Sequence, residues 1–189
     1  MEMTGILLIR HGLTAGNLEK RYIGRTDEPL CSEGISQLKT HEPMACDMLV
    51  CSPMKRCLQT AEILFPQNIP FIAHDLRECD FGDFEGKNYR ELSDSADYQK
   101  WIDSGGSLPF PKGESPDDFR RRCTEAFETV IRTCSEAHMV AFVVHGGTIM
   151  SILEKYALPH MDYFCYQCEN GHGYSCLWNG KNLEIRNIL

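Results

Sequence analysis

Long apolar runs are missing from this 189-residue chain. The stretch Met1 to Ile9 carries Glu2 where an export signal would carry positive charge, and its apolar run is too short for a signal core or a membrane span. The expectation is a cytoplasmic protein with no membrane partner. Positive charge is also scarce, since 19 Lys and Arg stand against 27 Asp and Glu for a formal net charge of -8. Nucleic-acid phosphates need a broad basic face, so nucleic acid is excluded as a partner. A local pocket of positive groups is still allowed, because net charge says nothing about individual clefts. No internal repeat or low-complexity tract is present, which argues against solenoids and unstructured tails.

Cysteine is not scarce. The chain has ten, but they are scattered through a sequence of enzyme size with no export signal, so reduced thiols are expected rather than a disulfide scaffold. Hydrophobic residues make up 42% and charged residues 24%, the balance of an ordinary folded protein. The length suits one well-developed core, and the chain is read as a single domain over 1–189.

Three apolar runs have the length and β-branched content of buried strands: GILLIR (5–10), DMLVCS (47–52) and MVAFVVH (139–145). PFIAHDL (70–76) is a weaker fourth. Helical spacing is clearest over 116–137, where Phe119, Cys123, Phe127, Val130, Ile131 and Cys134 recur on one face, after an N-cap at Ser115 and a first-turn proline at Pro116. Ser52 and Pro53 open a second helix through Arg56, Thr60 and Leu64, Ser32 caps a third through Leu38, and a fourth is expected over 148–156. Alternating strands and helices predict an α/β three-layer sandwich around a mostly parallel sheet. Asn179-Gly180, between SCLW and LEIRNI, predicts a two-residue hairpin that adds an antiparallel edge near the C-terminus. The span of about 79–115 is rich in glycine, proline and acids, and reads as a loop-rich insertion with one helix near Tyr89 to Trp101.

Two of the strands end alike. GILLIR runs into His11-Gly12, and MVAFVV runs into His145-Gly146-Gly147. In open α/β sheets ligands bind at the carboxyl ends of strands, where glycine lets the backbone approach and free amides at a helix start favour an anion. Arg10 precedes His11, and Arg56 follows the third strand in the first turn of a helix. These groups describe a phosphate pocket, since the planar guanidinium fork matches phosphate oxygens in bidentate fashion. The fourth strand leads to Arg77 and Glu78, which brings a carboxyl group nearby.

RHGLTAGN (10–17), GRTDEPLCSEGISQ (24–37), SPMKRCLQTAE (52–62), LRECDFGDFEG (76–86), KGES (112–115) and VVHGGTI (143–149) resemble, in order, the motif blocks of the histidine phosphatase superfamily, the phosphoglycerate mutase-like clan. The resemblance covers nearly the whole chain and implies a phosphoglycerate mutase-like fold. It also implies that His11 takes a phosphoryl group as a phosphohistidine, that Arg10, Arg56 and His145 clamp the transferring oxygens, and that Glu78 protonates the leaving alcohol. Asn17, Gly12 and the amide of Gly146 are implied as neutral phosphate contacts, and Arg25 as an additional substrate contact. No metal or other cofactor is implied, because the arginines supply the positive charge.

The implied activity is a phosphomonoesterase acting on a small phosphorylated metabolite. Within the clan, the compact length and the FGDFEG block are most similar to small phosphatases of the α-ribazole phosphatase type. A phosphoglycerate mutase and a non-catalytic phospholigand-binding module are the alternatives. The short span between Glu78 and Gly113 leaves little room for the longer insertion with which mutases hold a bisphosphate. The oligomeric state, monomer or dimer, is left open.

CYQCENGHGYSC (165–176) comes close to zinc-knuckle order with Cys165, Cys168, His172 and Cys176. The spacings after Cys168 are each one residue short, and a strand would splay the ligands, so Asn170, Gly171 and His172 are read instead as flanking the pocket. His41, His74, His138 and His160 are assigned to the surface or to satisfied core positions.

Overall fold

Strands β1 (Thr4–Arg10) and β4 (Met139–Val144) lie side by side in parallel near the middle of a seven-stranded sheet in the computed structural model, which describes residues 3–134 and 136–189. β2 (Met48–Cys51) pairs in parallel with β4, and the two-residue β3 (Phe71–Ile72) pairs in parallel with β2 at one edge. On the other side β6 (Gly173–Trp178) runs antiparallel to β1 and to β7 (Leu183–Ile188). The short β5 (Ala157–Leu158) pairs in parallel outside β7. The sheet is mostly parallel, and its antiparallel pairings are those that β6 makes with β1 and with β7.

Alternation along the strands divides the core into two layers. Ile6, Leu8, Val140, Phe142 and Val144 face α5 (Pro116–Thr133) and α6 (Gly146–Tyr156), meeting Phe127, Val130, Ile149, Ile152 and Leu153. Ile9, Leu49, Cys51, Ala141 and Val143 face α2 (Ser32–Leu38) and α3 (Lys55–Leu64), meeting Leu38, Cys57, Ala61 and Leu64. Every one of these side chains is buried, and each large aliphatic or aromatic one contributes roughly 1.5–3 kcal/mol by leaving water. The remaining helices are α1 (Ala15–Leu18) and α4 (Ala96–Asp103).

Several element boundaries move for local reasons. α5 has the expected Ser115 cap and first-turn proline but ends at Thr133, four residues before Ala137. α2 is capped by Cys31, whose sulfur accepts from the Gly34 amide, and not by Ser32. α3 starts at Lys55 without a side-chain cap, because the Ser52 hydroxyl is engaged elsewhere. PFIAHDL is strand only at Phe71–Ile72 and then tightens into a 3₁₀ turn at His74–Leu76. The helix expected near Tyr89 begins only at Ala96, under a Ser95 cap. Upstream, the Asn88 side chain accepts from the amides of Arg90 and Glu91, a local turn that competes with helix. The hairpin loop spans four residues, 179–182, rather than two, because Asn179 Oδ1 accepts from the amides of both Lys181 and Asn182.

Within the 79–115 segment, Cys79, Phe84, Leu92, Tyr98 and Phe110 form a third cluster with Phe119 and Cys123 of α5. The insertion is thus seated on the N-terminal half of that helix.

Candidate active site

The register of the sheet assembles the site. Arg10 pairs with Val144, and Cys51 pairs with Val143, so Arg10-His11, His145 and Ser52 emerge together at the carboxyl ends of three parallel strands. β6 runs the other way and starts opposite Ile9, which delivers the preceding loop, Glu169 to His172, to the same end. The His172 carbonyl accepts from the Arg10 amide, and the Gly171 amide donates to the carbonyls of Arg10 and His11. Gly171 sits at φ +81, a left-handed conformation that favours glycine.

His11 is buried, and its Nδ1 lies 2.7 Å from the Gly12 carbonyl oxygen. A carbonyl can only accept, so Nδ1 carries the proton and Nε2 keeps its lone pair. The His145 ring packs edge-on to it at 5.2 Å and shares a 2.7 Å hydrogen bond, through Nε2, with the Ser52 hydroxyl. Burial above all, and then the Arg56 guanidinium, hold both imidazoles well below their ordinary pKa. Both rings are therefore neutral near pH 7.

Two guanidiniums face the rings. Arg56 is fully buried, with Nη1 donating to the Thr26 carbonyl and Nη2 to the Gly24 carbonyl, each at 2.8 Å. Arg10 Nη1 donates to the Cys168 carbonyl at 2.8 Å. Carbonyls hold these groups in place, and among the described residues neither guanidinium is in a direct ion pair with a carboxylate. The Nε atoms of both are buried without a protein partner. Buried donors rarely stay unpaired, and two orphan guanidinium donors at one site fit a bound anion.

Asn17 sits beside them in a capping box with Thr14. Its Oδ1 accepts from the Thr14 amide at 3.2 Å and from Asn170 Nδ2 at 3.1 Å, which leaves its own Nδ2 hydrogens available as donors. Asn170 also donates to the His11 carbonyl. The Gly12 amide is taken by Thr60 Oγ1 at 2.9 Å, and the residue's small size matters for packing, because a Cβ there would lie 2.7 Å from Leu38. Gly12 thus borders the site without offering its amide to it.

Glu78 is half-buried on the opposite wall. Its carboxyl accepts from the Cys79 amide at 3.0 Å and from the Gly147 amide at 3.3 Å. Burial pushes this carboxyl above the usual range, outweighing those hydrogen bonds and the nearby Arg56. Arg122 fixes the backbone that carries it, donating to the carbonyls of Asp75, Arg77 and Glu78 while its fork grips Glu114 at 2.9 and 2.8 Å. The Glu of the KGES block thus orients the arginine that holds the backbone from Asp75 to Glu78. A Cβ on Gly147 would fall 2.5 Å from Glu78 Oε1 and 2.9 Å from Phe119. Gly147→Ala should displace the carboxyl and lower kcat by on the order of 10–100-fold, the scale of a misplaced catalytic group. Steady-state kinetics beside a melting curve checks this.

A cavity of about 600 Å³ opens from Arg10, Glu78, Gly146 and Gly147 toward Trp101, Phe110 and Tyr163. Arg25 lies outside it, 62% exposed, 3.5 Å from Asp80 and on a smaller cavity beyond Glu78. The zinc-knuckle residues are separated, with Cys165 exposed, Cys176 buried in β6, and His172 Nδ1 2.9 Å from the Leu189 carbonyl. Among the described residues no group of three or more His, Cys, Asp or Glu is placed to hold a metal ion. All ten thiols are free. His74, His138 and His160 are exposed, and His41 packs edge-on to His172. Ser52 and Thr60 were read only as parts of a helix and its motif block, and Arg122 and Tyr163 carried no sequence signal of their own. Arg122 was traceable only through KGES, whose acid needed a partner.

A sheet whose strand ends gather two neutral imidazoles, two guanidiniums held by carbonyls and a carboxyl of raised pKa belongs to an enzyme of phosphomonoester chemistry. The chain is a member of the histidine phosphatase superfamily (branch 1), whose profile matches residues 6–188. The adenosylcobalamin/alpha-ribazole phosphatase of Salmonella typhimurium is 29% identical over 175 residues, covering 87% of this chain and 85% of that protein. Phosphatase PhoE of Bacillus subtilis, itself uncharacterized, is 37% identical over 159 residues, 81% of this chain and 77% of that one. The crystal structure of the alpha-ribazole phosphatase from Shigella flexneri matches with a TM-score of 0.86 at 25% identity, over 98% of this chain and 96% of that one. The protein is an enzyme that hydrolyses phosphomonoesters. Among the described residues no helix is long and apolar enough to cross a membrane.

Proposed function

We propose that this enzyme hydrolyses a small phosphorylated metabolite through a phosphohistidine on His11. The neutral Nε2 attacks phosphorus, the bond from phosphorus to the ester oxygen breaks, and the Glu78 carboxyl gives its proton to the departing alkoxide. Glu78, now a carboxylate, takes a proton from water as the water oxygen attacks the phosphohistidine. The P–N bond breaks, phosphate leaves, and His11 is again neutral. Arg10, Arg56, His145, Asn17 and the Gly146 amide stabilise charge on the transferring oxygens. The hydrogen bond from His11 Nδ1 to the Gly12 carbonyl carries this reading, because it leaves Nε2 as the unprotonated nitrogen of a ring beside two guanidiniums.

The reading takes 1–189 as one functional unit in which the 79–115 segment covers the site and Arg25 contacts substrate only at the rim. α-Ribazole 5′-phosphate is the first specific substrate to test, in view of the relatives' names. The enzyme is incubated with it, with phosphoserine, and with 3-phosphoglycerate with and without bisphosphoglycerate, following phosphate and isomer together. Release of inorganic phosphate is expected. Rapid isomerisation of 3-phosphoglycerate without phosphate release would replace the phosphatase with a mutase.

A further inference from the structure

The cavity beside Glu78 has a composition that the phosphoryl chemistry does not require. One wall comes from the insertion, where Trp101 and Phe110 lie 5.2 Å apart at an interplanar angle of 32° and Phe81 packs edge-on to Phe110 at 5.1 Å. Phe110 is buried, while Trp101 and Phe81 keep part of their surface open. A second aromatic wall comes from the distant 3₁₀ turn at Tyr163–Tyr166, where Phe164 is 59% exposed and touches the edge of Tyr163 at 5.1 Å. An exposed phenylalanine on a cavity wall is an unsatisfied apolar surface, and an aromatic ring prefers another ring at such distances.

The polar groups of the cavity point the same way. Beyond Arg10, its remaining cation is Arg120, whose guanidinium stacks 4.3 Å over the Tyr163 ring and lies 3.5 Å from Glu154. Glu154 and the Tyr163 ring therefore share that charge. Asp117 lines the same cavity and opposes a second substrate carboxylate. Among the described residues a small phosphorylated hydroxy acid would therefore find, beyond Arg10, only this shared cation for its carboxylate, and it would leave most of a cavity of about 600 Å³ unfilled.

Resting on the phosphomonoesterase reading, we infer that the preferred substrate carries a flat aromatic ring on its leaving alcohol, held between Trp101 on one wall and Phe164 on the other. These two residues set specificity, and the ring is selected for its faces as well as for its apolar area.

Benzyl phosphate, cyclohexylmethyl phosphate and glycerol 3-phosphate test this, because all three release primary alkoxides and differ mainly in what enters the cavity. kcat/KM should favour benzyl over cyclohexylmethyl phosphate by about tenfold, the scale of one or two favourable ring pairs, and over glycerol 3-phosphate by more. Trp101→Leu should collapse the benzyl preference toward unity, and the exposed position of Phe164 makes Phe164→Leu the second variant should the first fold poorly. Calorimetric binding of benzylphosphonate against cyclohexylmethylphosphonate reads the same preference without turnover, so the ring clamp and the covalent chemistry fail separately. Equal constants for the ring and its saturated analogue, or a preference for glycerol 3-phosphate, overturn the clamp. Phosphonate discrimination without hydrolysis of any ester would instead leave the clamp standing and remove the hydrolytic mechanism.

Discussion

His11→Ala should lower kcat by on the order of 10⁴-fold or more, as loss of a covalent nucleophile does when the rest of a site is intact. The argument rests on the ring's preparation and not on its presence alone. Nδ1 is tied to the Gly12 carbonyl, so the neutral ring has one tautomer and one reactive nitrogen. Burial and Arg56 keep that nitrogen unprotonated well below the pH at which an exposed imidazole would charge. Activity should therefore persist on the acid side of pH 6.5 until His11 finally takes a proton. Rapid quenching into alkali after mixing with phosphorus-labelled substrate should trap an acid-labile phosphoryl group on the wild type and none on the variant. His11→Asn is the companion, since its amide can keep the bond to the Gly12 carbonyl while offering no nucleophile. Unchanged turnover in either variant would remove the covalent path.

Much of this site was legible because local chemistry and sheet topology point the same way. β1 and β4 announce themselves as short aliphatic runs, and each stops at a histidine followed by glycine, with Arg10 placing a charge at the end of β1 where a bound anion would offset its burial. The two loops meet because β1 and β4 pair directly, with Arg10 opposite Val144. What periodicity does not carry is the partner of each polar group. Ser52 looks like a helix cap from its neighbours, yet its hydroxyl binds His145, 93 positions away. The Asn170 amide spans 153 positions to orient Asn17, a contact fixed only when β6 runs antiparallel and returns its loop to the phosphate end. Arg122 falls on a helix rich in charged residues, and nothing local separates it from the exposed Arg121 one position earlier.

The insertion was the least legible segment for a related reason. Its helix waits for the Ser95 cap because the Asn88 side chain occupies the amides that would have started it sooner. Its aromatic residues have no clear period, because they pack around Phe119 and Cys123 of a helix outside the segment. Those same rings give the cavity its apolar wall. The phosphate end of the cavity and its leaving-group end therefore arise from different levels of the chain: the first from strand termini that any parallel sheet aligns, the second from a side-chain cluster that can vary without disturbing the sheet.

Glu78→Gln should separate chemistry from folding. The variant keeps the size of the side chain and one oxygen acceptor but cannot give up a proton to an alkoxide. For an alkyl phosphate, whose alcohol leaves only with help, kcat/KM should fall by roughly 10²–10⁴-fold, the usual scale of general acid catalysis. For an aryl phosphate with an acidic phenol the first step needs little protonation, so a burst of phenol should survive and stall at the phosphohistidine, since the base for water is also gone. The pH profile carries the same information with a definite sign. In the proposed mechanism Glu78 acts as the protonated acid, and burial raises its pKa, so wild-type kcat/KM should fall as pH rises through that raised value. The variant should lack this alkaline limb. Wild-type stability should fall with pH as well, because the folded wild type binds a proton that the unfolded chain has already lost. Between the unfolded carboxylate pKa, near 4.3, and the raised folded value, wild-type stability declines with pH while the variant's does not. A variant that grows more stable relative to wild type across that window while its alkyl phosphatase activity is lost would identify Glu78 as a buried acid held for proton transfer; parallel loss of activity and stability would make it a structural carboxylate.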